Sequence, residues 1–149
     1  MNTLVVYDSK YGHTKTVAET IGAALPGVVT VVHASQATAS ALGDLDLLVV
    51  GAPTQSGRPS AATATFLAQL EDRSLQGKRV AAFDTRMRAM WVIIFGFAAP
   101  KIAARLEEKG GLLVGKPAAL KVKGTRGPLV DGELERATAW AKGLLETQA

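Results

Sequence analysis

A chain of 149 residues with 48% hydrophobic and 20% charged side chains has the makeup of a globular protein with a sizeable core, which excludes a disordered chain. It holds no cysteine, so disulfides, thiolate nucleophiles and zinc–thiolate sites are excluded too. The net charge of +4 is uneven: residues 1–72 carry three basic and six acidic side chains, residues 73–149 fourteen and seven.

The first apolar, β-branched run, residues 4–7, leads through Asp8 into Ser9-Lys10-Tyr11-Gly12-His13-Thr14 and then a helical pattern in which Val17, Ile21 and Leu25 recur every four residues. A buried strand joined through Ser, Gly and Thr to a helix start gathers backbone N–H groups at the positive end of the helix dipole, which makes a ready phosphate site. Further strand-like runs follow at 28–33 and 45–51. The third opens into Gly51-Ala52-Pro53-Thr54-Gln55-Ser56-Gly57, and Pro59-Ser60 then starts a helix with Phe66, Leu67 and Leu70 on one face. A fourth strand at 80–83 precedes Asp84-Thr85-Arg86-Met87-Arg88, which reads as a loop. Residues 89–99 are apolar almost throughout and are open to three readings: the start of a buried helix, a subunit interface or a membrane-touching patch. A helix that also forms an interface is favoured, because the run is too uniformly apolar for a surface-lying amphipathic helix, which makes a homo-oligomer through this region possible. The run falls short of the ~20 residues that a spanning helix needs.

Pro100 suits the first turn of a helix holding Ile102, Ala103 and Leu106, with Gly110-Gly111 as its stop. A fifth strand is expected at 112–114, with 118–122 as an extra or continued edge strand. Asp131 opens a last helix with Leu134, Ala137, Ala141 and Leu145 inward and Glu133 near its N-terminus. Short continuous apolar runs suit strands buried on both faces. Their alternation with helices predicts an α/β fold: residues 1–149 as one domain, a three-layer, doubly wound, five-stranded parallel sheet in the order 2-1-3-4-5. In such a sheet ligands bind beyond the carboxyl ends of the strands where the order reverses, here between strands one and three, where the two hydroxyl-bearing loops meet.

Several phosphate motifs fail on the residues. No G-x-G-x-x-G follows strand one, and Gly12-His13-Thr14-Lys15 lacks the Gly-Lys-Ser/Thr ending of a P-loop. A phospho-acceptor receiver domain would need an aspartate after strand three, where Gly51-Ala52-Pro53 stands. A monophosphate held by hydroxyls and backbone amides remains. Ser9-Lys10-Tyr11-Gly12-His13-Thr14 resembles the Ser/Thr-x-x-Gly-x-Thr phosphate loop of flavodoxins, and its Ser-x-Tyr-Gly-His form resembles FMN-dependent NAD(P)H:quinone oxidoreductases of the tryptophan-repressor-binding type. Gly51-Ala52-Pro53-Thr54-x-x-Gly57 resembles the flavin loop of both groups. The stretch Gly127-Pro128-Leu129-x-Asp131-Gly132-Glu133-Leu134-Glu135-Arg136-Ala137 is similar to a bacterial flavodoxin-domain subfamily.

The flavodoxin-like resemblance implies FMN as cofactor. It implies that Ser9 and Thr14 offer hydroxyls to the phosphate, that Lys10, Tyr11, Gly12 and His13 offer mainly backbone N–H groups, that Pro53, Thr54, Gln55, Ser56 and Gly57 border the isoalloxazine, and that Asp84, Thr85 and Arg86 line its other side. Flavodoxins commonly sandwich the ring between aromatic side chains and are acidic; this chain has Gln55 in the second loop, no Gly-Asp-x-x-Tyr in the third, and a basic balance.

Single residues have plainer readings. His13 occupies a helix first turn, His33 ends strand two as a structural residue with no partner in view, and Asp8 caps or orders the loop. Trp140 is a core or half-buried anchor, and Arg86 and Arg88 pair with a ligand or partner surface or are solvated. No catalytic residue and no metal site is read from the chain. The expectation is an FMN-binding electron-transfer protein with a redox partner protein or a small-molecule electron acceptor. The alternatives are an FMN-dependent NAD(P)H:quinone or related flavin reductase, and an interaction module with weak or no FMN binding. No arginine-rich run or RNA-binding signature is present, so nucleic acid is not expected. No signal-peptide pattern or spanning run is present either, so no stable membrane insertion and a cytoplasmic location are expected.

Overall fold

A computed structural model describes residues 1–38, 42–54, 60–87, 97–124 and 127–146. Along them run β1 (Asn2–Tyr7), α1 (His13–Ala24), β2 (Val28–His33), β3 (Leu47–Pro53), α2 (Ala61–Ala68), β4 (Arg79–Met87), α3 (Ala98–Glu108), β5 (Leu112–Leu113), β6 (Ala118–Val122) and α4 (Glu133–Glu146), with a 3-10 turn at Ala34–Gln36. The strands pair in parallel in the order β2-β1-β3-β4-β5, and β6 also pairs with β4. This is the doubly wound α/β sheet expected from the alternation.

Period-two alternation divides the core. Leu4, Val6, Leu48, Val50, Val80 and Ala82 pack against Phe66, Leu67 and Leu70 after β3 and against Ile102 and Leu106 of α3. Val5, Leu47, Val49, Ala81 and Phe83 point the other way, onto Val17 and Ile21 of α1 and Ala137, Ala141 and Leu144 of α4. Each fully buried Ile, Leu or Phe contributes about 1.5–3 kcal/mol by leaving water. Crossovers return the chain to the same end of the sheet for each strand, so the strands run parallel and all carboxyl ends emerge at one edge.

The structure departs from the sequence-based expectations in several places. β2 is an edge strand rather than one buried on both faces, and Val28 is 67% exposed. β3 starts two residues later than expected and runs on through Pro53. β4 continues to Met87, so Asp84, Thr85 and Arg86 are strand residues and not a loop. The fifth sheet position is filled in two pieces: β5 pairs with Arg79 and Val80, and β6 with the end of β4 from Phe83 to Met87. Between them Gly115 takes φ 68 and Pro117 has no N–H to donate to the ladder, which breaks the strand and restarts it as the continued edge strand.

In α4 the inward face is Glu133, Ala137, Ala141 and Leu144, whereas Leu134 is exposed and Leu145 only partly buried. The phase is set at the helix start. The buried Glu133 carboxylate accepts the Lys121 N–H of β6 at 2.7 Å and is bound by the Arg136 guanidinium, so position 133 has to face the sheet. Pro100 lies in the first turn of α3 as expected. Most of the apolar 89–99 stretch, including Trp91, lies outside the described residues, and with it the expected subunit interface. Among the described residues, no helix is long and apolar enough to cross a membrane.

Gly51 stands opposite Phe83 in the β3–β4 register, and a Cβ built there would fall inside the Phe83 ring. That ring is fully buried and lies edge-on to Trp140 at 6.3 Å between centroids, so it has no room to yield. Gly51→Ala is therefore expected to destabilise the fold by about 1–3 kcal/mol through overpacking, with part of the loss recovered in Gly51→Ala/Phe83→Leu; urea unfolding midpoints check both.

Candidate functional site

The carboxyl ends of β1, β3 and β4 lie side by side, with Tyr7 level with Gly51 and Pro53 level with Thr85. Beyond β1 the chain turns at once into α1. Ser9 Oγ accepts the Gly12 N–H at 2.9 Å, which closes the loop on itself. Gly12 then takes φ 88, a left-handed conformation that a side chain resists even though nothing crowds the position. The first helical bond of α1 runs from the Thr16 N–H to the Gly12 carbonyl, so the amides of Thr14 and Lys15 have no acceptor inside the helix. Gly12 brings no capping side chain and the first turn of α1 has no acid, so no carboxylate of that turn offsets its positive dipole end.

Of the other helix starts, those of α3 and α4 are supplied internally, whereas α2, like α1, has neither a side-chain capping bond nor an acid in its first turn. At α3 the Ala98 N–H donates to Thr54 Oγ1 at 3.1 Å and the Ala99 N–H to Asp84 Oδ2 at 2.8 Å. At α4 the first turn carries Glu133 and Glu135. Of α1, α3 and α4, α1 alone presents a bare N-terminus, and it does so where the strand order reverses.

The site residues read from the sequence fall into three groups. Ser9, Lys10, Tyr11, Gly12, His13 and Thr14 form one turn at the head of α1; Lys10, Tyr11 and Gly12 are exposed, and Lys10 Nζ lies 5.5 Å from the Tyr11 ring centre. His13 opens the helix as expected, its ring against Gly127. Thr14 is buried, and its hydroxyl pairs with Thr85 Oγ1 at 2.8 Å. Pro53 and Thr54 reach the same edge, and the Thr85 carbonyl accepts the Thr54 N–H at 2.9 Å. Thr85 is thus the joint between the two loops.

Asp84 and Arg86 are placed differently. As β4 residues they alternate with Thr85 and face α3. The Asp84 carboxylate is fully buried and accepts two hydrogen bonds from the Arg86 guanidinium, at 2.7 and 2.6 Å, besides the Ala99 amide. The guanidinium also stacks over the Phe97 ring at 3.4 Å. Both side chains are committed to holding β4 against α3. Gln55, Ser56 and Gly57, with Arg58 and Pro59, lie outside the described residues, as does Arg88. Trp140 is half-buried as expected, its Nε1–H donating to the Lys116 carbonyl.

His33 corrects its sequence reading, because it does have a partner: its Nε2 lies 2.8 Å from Asp8 Oδ1, which also accepts the Ser9 N–H at 2.8 Å. The signal was available in the order β2-β1, since a residue ending strand two stands level with Tyr7 and next to Asp8. Among the described residues no group of three His, Asp or Glu side chains gathers as a metal site.

A doubly wound parallel sheet defines a class of folds whose ligand sites lie at the switch point of the strand order. The comparisons narrow it. The model of the flavodoxin domain family matches residues 4–91, more than half of the chain, and the chain belongs to that family. Solved structures that it resembles include flavodoxin 1 of Bacillus cereus, at 19% identity and a TM-score of 0.82 over the whole of both chains. Flavodoxin 2 of the same organism gives 24% and 0.83, covering 98% of this chain and 99% of that one. An archaeal flavodoxin gives 24% and 0.79, covering 98% and 97%. No curated protein sequence matches.

Removing the Arg86 side chain leaves a buried carboxylate without its cation. Arg86→Ala is expected to cost about 3–5 kcal/mol in unfolding free energy, and Asp84→Asn/Arg86→Ala distinctly less than Arg86→Ala alone; a denaturant double-mutant cycle reads the coupling.

Proposed function

We propose that this chain is a one-domain FMN-binding electron carrier whose Ser9–Thr14 turn anchors the cofactor's monophosphate. The observation that carries the reading is the uncapped, acid-free N-terminus of α1 at the sheet's switch point, in a chain of the flavodoxin domain family. The donors suit a phosphate: neutral hydroxyls and backbone amides at a positive dipole end, with no carboxylate in the helix turn to repel a dianion. Ser9 Oγ accepts from Gly12 and keeps its own proton to donate outward. If Thr85 donates to Thr14, the Thr14 hydroxyl proton is likewise left for an anion.

Pro53, Thr54, Gln55, Ser56 and Gly57 would border the ring on one side and the end of β4 on the other. There Thr85 takes part directly, while Asp84 and Arg86 keep the wall rigid from behind. When bound, FMN supplies the one- and two-electron chemistry, and the chain's part is to bind it, orient it and surround it. Electrons would pass between a redox partner protein or small acceptor and the bound cofactor.

Titration of the unliganded protein with FMN and with riboflavin tests the anchor. FMN is expected to bind and to develop a protein-perturbed flavin spectrum, with riboflavin markedly weaker. Ser9→Ala and Thr14→Val should each weaken FMN about tenfold, or ~1.4 kcal/mol, while leaving riboflavin unchanged. Absence of FMN uptake refutes the proposal. Rapid NAD(P)H oxidation with a quinone by the FMN-loaded protein alone would replace the carrier reading by the reductase one.

A further inference from the structure

We propose that His33 is a positioning residue for the phosphate turn. Acting through Asp8, it holds the conformation in which the bare N-terminus of α1 receives an anion, an inference that rests on the phosphate-anchoring role proposed above. β2 ends at His33 directly beside Tyr7 of β1, whose ring meets the imidazole edge-on at 5.5 Å between centroids. On its far side Nδ1 accepts the Ser35 N–H at 3.1 Å, with Ser35 Oγ at 2.8 Å. A ring nitrogen that accepts an amide proton carries none of its own. The 3-10 turn at Ala34–Gln36 therefore fixes the tautomer, and the ring proton sits on Nε2, aimed at Asp8 Oδ1 2.8 Å away.

Asp8 is held from three directions. Its N–H donates to the Gly51 carbonyl of β3 at 3.2 Å, and its Oδ1 receives both the His33 proton and the Ser9 N–H. Ser9 Oγ then takes the Gly12 N–H, and the Gly12 carbonyl starts α1. A continuous hydrogen-bonded path thus runs from the end of β2 to the first turn of the helix.

The need for such a path is electrostatic. A carboxylate beside a phosphate site repels the ligand, and an aspartate also competes for the N–H groups one or two residues downstream, here those of the turn itself. The Nε2–H donor holds Oδ1 on the β2 side and leaves Asp8 one loop amide, that of Ser9. With the imidazole gone, the carboxylate is free to swing over the turn and take amides that a phosphate needs. His33 and Asp8 are 33% and 18% exposed, so the pair is shielded enough to keep its geometry yet open to substitution without a core cavity.

The test uses the full chain and four variants: His33→Ala, His33→Gln, Asp8→Ala and Asp8→Ala/His33→Ala, each first checked for cooperative unfolding. His33→Ala is expected to weaken FMN about tenfold with riboflavin within twofold of wild type, and His33→Gln, whose amide restores a donor toward Asp8, should stay within about threefold. In the Asp8→Ala background the His33→Ala effect should vanish, because the histidine acts through the carboxylate. FMN affinity untouched by His33→Ala, an equal loss of riboflavin, or the same loss without Asp8 overturns the proposal. If wild-type protein takes up no FMN, the anchoring role falls separately. The unliganded chain then decides the lock by NMR: an Nε2–H ring tautomer and a Ser9 amide whose hydrogen exchange quickens in His33→Ala sustain it. An Nδ1–H tautomer, or Ser9 exchange unchanged, overturns it.

Discussion

Every helix that follows a strand in a parallel sheet brings its positive end to the same edge, and what meets that end decides what the edge can do. At α3 the answer is internal. The fully buried Asp84 carboxylate and the Thr54 hydroxyl take the Ala99 and Ala98 amides, and Arg86 balances the charge that Asp84 brings inside. At α4 Glu133 occupies the helix start while reaching back to the Lys121 amide of β6. At α1 the cap is a glycine, which has no side chain to offer, and the first turn holds no acid. Two of these ends are spent on stability, and that of α1, like that of α2, is left without a side-chain cap or a first-turn acid. The distinction is thermodynamic rather than decorative: charge-assisted bonds at a helix end add to folding free energy, and an end left bare forgoes that gain unless something else binds there.

The same edge shows how much the sequence disclosed. Uninterrupted apolar runs made β1, β3 and the body of β4 legible, and the four-residue spacing of Val17, Ile21 and Leu25 placed α1 on the sheet. Glycine between Ser9 and Thr14 located the turn. What the pattern hid was the end of β4. Asp84, Thr85 and Arg86 are polar, and polarity after an apolar strand normally signals exit into solvent. Here the charges cancel locally, so the strand continues through them. Phase in α4 was misjudged for a related reason, since Glu133, expected only near the helix N-terminus while Leu134 faced inward, is a buried anchor that turns Leu134 outward. Periodicity reads apolar residues well and paired buried charges badly.

His33 illustrates a second limit. Taken alone along the chain it has no companion within reach except Ser35, and it reads as inert. Its partner lies 25 residues away and becomes adjacent only when β2 is laid beside β1. Strand order therefore carries chemical information that no local window holds. Thr14 and Thr85 make the same case across 71 residues.

These long-range pairs bear on how the proposed anchor would work. A phosphate turn hung on a helix by its backbone alone would adjust to its ligand at little cost and orient it poorly. This turn is fastened at three points: Asp8 to β2 through His33, Asp8 to β3 through its amide, and Thr14 to β4 through Thr85. Each fastening joins it to a different strand, so displacing the turn would break bonds to three neighbours at once. Thr85 also receives the Thr54 amide, so its position fixes the wall after β3 as well as the anchor after β1. On the proposed reading, a ligand held at its phosphate end by this turn would meet a wall tied to that turn through one residue, Thr85, by its hydroxyl on one side and its carbonyl on the other. Pre-organisation of this kind lowers the ordering cost of binding, and it makes the geometry at one end of the ligand a consequence of the geometry at the other.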